Sequence, residues 1–314
     1  MIGLLRVELT RLRWRRAVLA LLALGVVAPA LVFAATVVST EAKPFDEVVE
    51  QYGKEVLTQV EDCVAHPRRY GVDQGGSDGV QRACERVISG YYGEAELDLR
   101  AERESNSGPA AIALLTLVLL LVGTTFAGHD WNTGSISNQL LFEPRRHRVW
   151  LAKLLAVGLV ATLLSTLVLL AHWTGLYAVS SLRNLDQPDL AVAAAYKQVV
   201  LGVMVVCAAG LLGFGLTMLL RSTVATLGVL FATGFGGVIL VAAGVASAER
   251  VMPWGNFVAW VVGGYDYYVY DDCFSADCVP VRHIERSDSA VYFAVILAVV
   301  LVGSLASFRR RDLP

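Results

Sequence analysis

Residues Trp150–His172 read WLAKLLAVGLVATLLSTLVLLAH, with one lysine near the start and no other formal charge. A hydrocarbon core about 30 Å thick needs roughly 20 apolar residues in helical form, because backbone groups in lipid find hydrogen-bond partners only within the helix. This run meets that length. Working outward from it, five more runs qualify: Ala17–Val38, Pro109–Ala127, Val199–Leu220, Thr223–Ala246 and Ala290–Phe308. None contains Asp or Glu, and the one basic residue, Lys153, lies near a helix end where its amine can snorkel toward headgroups. The chain as a whole agrees, being 55% hydrophobic and 17% charged, where a soluble domain carries about 25% charge. Arg-rich sequence precedes the first run, as in a secretory signal, but the apolar stretch exceeds the roughly 7–15 residues of a signal core. The expected fold is therefore an all-α polytopic membrane protein with six transmembrane helices.

Charge sets the orientation. With the N-terminus inside, the inner segments carry Arg6, Arg11, Arg13, Arg15, Arg16, Arg145, Arg146, Arg148, Lys153, Arg221, Arg309, Arg310 and Arg311, which is half of the 26 basic residues. They carry only Glu8, Asp130, Glu143 and Asp312 of the 28 acids. Inner basic residues at helix ends place both termini in the cytoplasm. Cysteines test this separately. Cys63 and Cys84 fall in the first outer segment, Cys273 and Cys278 in the last, and Cys207 inside the fourth span. That distribution suits an oxidising exterior, and pairing within each segment is the simplest of three connectivities. His66 and His283 lie near these cysteines, but neither spacing matches a zinc signature, so no metal site is expected.

The remaining segments follow. Residues 1–16, with Ile2, Leu5, Leu9 and Leu12 on one face, predict a cytoplasmic interfacial helix. Residues 39–108 form an extracellular helical segment, with helices expected at Phe45–Val64 and Gly79–Ile88 around the turn-rich GVDQGGSDG. A domain this small gains from a disulfide. Residues 173–198 are expected as an outer loop. In the fifth span, Gly228, Ala232 and Gly236 form a small-residue stripe suited to close helix packing. Residues 247–289 include Val251–Tyr268 (VMPWGNFVAWVVGGYDYY), too broken by Gly and Pro to cross, and expected as a pair of short re-entrant segments. Residues 309–314 are a cytoplasmic tail.

Much chemistry is absent from the sequence. It has no P-loop and no H-E-x-x-H motif. Ion-coupled carriers place Asp, Glu or His inside their spans, and the sole candidate here is His172 beside Trp173. Uphill transport by this chain would therefore draw on another chain, and enzymatic activity of its own is not expected.

The longest cytoplasmic loop is Gly128–Lys153, GHDWNTGSISNQLLFEPRRHRVWLAK. Physically it reads as a short amphipathic helix, a proline turn and a basic approach to the third span. It resembles the coupling region of permease subunits of ATP-binding cassette (ABC) transporters, in the type-2 exporter class found in bacteria. Those permeases read acidic–x–x–x–Gly–[Thr/Ser], then apolar positions, Pro–x–Arg and a later Lys. Asp130, Gly134, Ser135, Leu140, Leu141, Pro144, Arg146 and Lys153 fall on that pattern, with Trp131, Arg145 and Arg148 alongside. The departures are Asp for Glu, Ser for Thr, and arginine at both positions after the proline. The resemblance implies a bacterial plasma-membrane exporter of a hydrophobic or amphipathic substrate. It also implies two copies of an ABC ATPase subunit, a second permease chain, identical or homologous, and ATP and Mg bound by the partner rather than by this chain. The lipid bilayer is the remaining partner, and nucleic acid is not one. The competing reading is a non-transporting receptor or immunity protein that binds a ligand through residues 39–108.

Overall fold

Apolar runs that must satisfy their own backbone become long helices in the computed structural model of the protein, which describes all residues except 42–44, 73–76, 93–95, 244–249, 269–280 and 311–314. Among the described residues, six helices are long and apolar enough to cross a membrane. They are α2 (Arg16–Ser39), α7 (Ser107–Asn132), α9 (Arg146–Leu182), α10 (Asp189–Leu220), α11 (Thr223–Ala242) and the last helix, α13 (Arg286–Arg310). Shorter helices among the described residues are α1 (Ile2–Trp14), α3 (Phe45–Tyr52), α4 (Lys54–Ala65), α5 (Ser77–Tyr92), α6 (Leu99–Glu104), α8 (Ser135–Phe142) and α12 (Pro253–Val262). The chain is a multi-pass, predominantly helical membrane protein.

Helices α7 and α10 form the centre. Over half (56%) of the apolar window of α7 is buried, against 11% in α11 and α13, which leave their apolar side chains for lipid. The centre closes through glycine. A Cβ on Gly123 would collide with the carbonyl oxygen of Gly210, and one on Gly213 with that of Leu120. The two backbones therefore touch where only hydrogen fits, as small-residue helix crossings in membranes require. The stripe expected to pack lies elsewhere: among the described residues no heavy atom comes within 4 Å of a Cβ on Gly228 or Gly236, and Ala232 is exposed.

Helix ends follow stop signals rather than polarity, which corrects the expected loop at residues 173–198. Helix α9 continues to Leu182 and α10 starts at Asp189, so only 183–188 connect them. Nothing before Asn184 breaks the helix. Asn184 takes a left-handed φ of 55°, and Pro188 caps α10. Arg183 then donates to the carbonyls of Val37 (2.7 Å) and Thr40 (2.8 Å), satisfying the C-terminus of α2.

Residues 45–92 have a core of their own, built from Val48, Val56, Val60, Cys63, Val72, Cys84 and Ile88. Cys63 and Cys84 are disulfide-bonded. The expected helix at Phe45–Val64 is split at Gly53, whose φ of 64° only glycine adopts at no steric cost. The second expected pair, Cys273 and Cys278, lies outside the described residues. Cys207 is a half-buried free thiol.

Of the segment expected as a re-entrant pair, residues 253–268 form the helix α12 followed by a strand, while 244–249 lie outside the described residues. After α12, Gly263 (φ 128°) ends the helix. Gly264–Tyr268 then pairs antiparallel with Val281–Glu285, a two-stranded ladder that qualifies the all-α expectation. The aromatic alternation of GYDYY favours a strand, with Tyr267 and Ile284 buried against Ala259.

Candidate functional site

The end of the bundle that holds α1, α8 and the last turn of α13 is built around buried charge. Helix α1 ends where Arg15 turns extended (φ −88°, ψ 112°), so it lies across the bundle before α2 begins. Its residues Glu8, Arg11 and Arg15 recur at spacings of three and four and share one face. Helix α7 runs past its apolar stretch to deliver Asp130, and α9 delivers Lys153 one turn into its apolar run. All three of Glu8, Asp130 and Lys153 are fully buried.

The Lys153 amine donates to Asp130 Oδ2 at 2.6 Å and to Glu8 Oε2 at 2.9 Å. Arg15 donates to the second Asp130 oxygen and to the carbonyl of Phe126 (2.7 Å), with its guanidinium 4.8 Å from the Phe126 ring centre. Arg11 completes the ring, donating to Glu8 (3.4 Å) and to Gln139 Oε1 (3.2 Å), with a further contact to Ser135 Oγ. Gln139 in turn donates to Glu8. Two carboxylates thus face three cations, and the contacts tie α1, α7, α8 and α9 together. Lys153 does not snorkel. Reaching for headgroups would strip two buried carboxylates of a partner, and unpaired buried charge costs several kcal/mol.

The motif residues separate into two sets. Asp130, Trp131, Ser135, Leu140 and Arg146 are anchors. Trp131 stands edge-on to Phe308, ring centres 6.3 Å apart, under the guanidinium of Arg221. Leu140 packs against the main core, and Arg146 donates to the carbonyl of Phe308 (3.3 Å). Gly134 has φ 65°, which lets the chain turn sharply from α7 into α8. The other set projects outward. Leu141 is 81% exposed and Phe142 90%, followed by exposed Pro144 and Arg145. Arg148 is half-buried and sits 4.0 Å from Glu143. Glu8, Arg11, Arg15 and Gln139 were not among the expected site residues. The signal for the first three was the lone acid of α1, in helical register with two arginines.

Three other features stand apart. His172 is buried, edge-on to Phe33 (6.0 Å) and Trp173 (5.5 Å), and neither ring nitrogen has a hydrogen-bond partner among the described residues. Among the described residues no three His, Cys, Asp or Glu side chains gather as metal ligands would. The sequence GGSDG at 75–79 spells the G-x-S-x-G nucleophile motif, whose serine follows a strand in the enzymes that use it; residues 73–76 lie outside the described residues. Comparison with known protein families, curated proteins and solved structures finds no match.

Proposed function

We propose that this chain is the membrane-spanning permease subunit of an ABC transporter, with α8 the element that a separate ATPase subunit grips. The observation that carries the reading is the exposed apolar tip Leu141–Phe142, beside Arg145, on a helix riveted through Ser135, Gln139 and Arg11 to the buried Glu8–Lys153–Asp130 cluster. An apolar tip left exposed among the described residues suits a partner groove. The anchoring beneath it suits transmission of force, because α8 cannot move without α1, α7 and α9. Nucleotide bound by two ATPase chains would then shift the membrane portion only through its differential affinity for two arrangements of that unit. In this reading the basic end faces the cytoplasm of a bacterial cell, ATP and Mg bind the partner, and a second permease chain completes the assembly. The substrate class that fits apolar spans is hydrophobic or amphipathic.

The test is affinity purification of the tagged chain from native membranes in mild detergent, assayed for ATP hydrolysis. Wild-type chain should bring ATPase activity with it, and Leu141→Asp/Phe142→Asp or Arg145→Glu should lose that activity while inserting and melting normally. Chain that purifies without ATPase in several detergents would instead favour the receptor reading. That reading draws on the separate, disulfide-closed core of residues 45–92.

A further inference from the structure

The opposite end of the bundle carries a cleft of about 1020 Å3 between α5, α6, the α9–α10 connection and the start of α10. Among the described residues its walls hold four arginines, Arg86, Arg100, Arg103 and Arg183, and four acids, Glu96, Asp98, Glu104 and Asp186. The charges balance, so the cleft favours neither a plain anion nor a plain cation.

The groups differ in what they are free to do. Arg183 is committed to the carbonyls that end α2, and Arg103 to the carbonyl of Val262 and to Glu104. Asp98 caps α6 through the Arg100 amide. That leaves Arg86 and Arg100, whose side chains are 71% and 74% exposed and whose ion pairs, with Glu96 at 3.9 Å and Glu104 at 3.3 Å, lie in solvent. Exposed pairs of this kind contribute little and open readily, and a guanidinium prefers a phosphate that it can grip at two oxygens. Asp186 is exposed and has no ion-pair or hydrogen-bond partner among the described residues. The same cleft is floored by Ala191 and Ala194 and edged by Leu190, an apolar side chain 85% exposed at the head of a membrane-length helix.

Exposed guanidinium groups, an unclaimed carboxylate and an apolar lip, at the level where spans α9 and α10 end, match a group that carries phosphate, amine and hydrocarbon together. We infer that this cleft binds the headgroup of a zwitterionic phospholipid, with Arg86 and Arg100 on the phosphate, Asp186 on the ammonium and the acyl chains leaving past Leu190. The inference does not rest on the permease reading.

The test uses the full chain in nonionic detergent, titrated with dihexanoyl-phosphatidylethanolamine and followed by calorimetry. Saturable binding is expected. Arg86→Gln/Arg100→Gln should weaken it at least about tenfold, the loss of one charge-assisted contact or more, and so should Asp186→Asn. Against dihexanoyl-phosphatidylglycerol, which lacks the amine, the arginine variant should lose affinity and Asp186→Asn should not. Phosphoethanolamine without chains should bind more weakly than the lipid, and inorganic phosphate more weakly still. All three altered side chains are exposed, so unchanged melting curves establish that the variants fold. Four results would each overturn the inference: no saturable binding of the lipid, equal binding by all variants, tighter binding of the anionic lipid, or inorganic phosphate binding as well as the lipid.

Discussion

Replacing Lys153 by Met tests the central piece of the architecture. The amine is 1% exposed, between two carboxylates that are 0% exposed, at 2.6 and 2.9 Å. At an effective dielectric of about 20, unit charges 4 Å apart attract by about 4 kcal/mol, and the variant loses two such attractions. Breaking a buried ion pair from one side costs about 3–5 kcal/mol. Here Arg15 still faces Asp130 and Arg11 still faces Glu8, so the lower end, about 3 kcal/mol, is expected. Removing Glu8 as well, in Lys153→Met/Glu8→Gln, relieves one of the two carboxylates that lost the amine and should recover about 2 kcal/mol of that loss. The measurement is a double-mutant cycle on unfolding in mixed micelles, reading stability of the wild type, both single variants and the double. A cost below about 1 kcal/mol for Lys153→Met, or a coupling energy within error of zero, would show that the cluster is not what holds α1 and α9 to α7.

Four further outcomes are expected. Gly213→Val forces a side chain into the carbonyl of Leu120 and should cost about 3 kcal/mol or more, since the obstacle is backbone. Gly228→Ala and Gly236→Ala meet open space and should leave melting in detergent unchanged or slightly raised. Cys63→Ser/Cys84→Ser removes a crosslink spanning a sequence separation of 21 and should destabilise residues 45–92 by about 3 kcal/mol. Faster proteolysis of that segment alone, with the spanning helices intact, is the readout. The Tyr70 hydroxyl, donating to Asp62 at 2.6 Å, holds that carboxyl below its usual range, helped by His66 and Arg69. A depressed folded-state value means that the stabilisation is present above the ordinary carboxylate range and is lost as pH falls through the lowered one. In Tyr70→Phe the Asp62 titration, followed by NMR, should move up toward that ordinary range.

How much was legible in the sequence depended on whether a feature was local. Six membrane-length helices followed from uninterrupted apolar runs, because a backbone in lipid has one way to satisfy itself whatever its neighbours do. The Cys63–Cys84 pairing was accessible too, since both residues sit in one short segment with a turn between them. The short helix at Ser135–Phe142 and its proline boundary were visible as an apolar run between breakers.

What tertiary structure decided was which residues meet. Asp130 reads as loop and Lys153 as a snorkelling end, yet they share a hydrogen bond, because α7 continues beyond its apolar run, and α1 folds across to bring Glu8 to the same amine. The glycines that close the bundle are Gly123, Gly210 and Gly213 rather than the regular stripe of α11. Spacing shows that a small face exists, but only the crossing of α7 and α10 says which small face is covered. The cleft at the other end joins side chains from residues 86 to 194, a juxtaposition that no window of sequence contains. Local hydrogen-bond satisfaction and hydropathy determined the elements. Long-range charge pairing and backbone approach, which depend on how those elements cross, decided the sites.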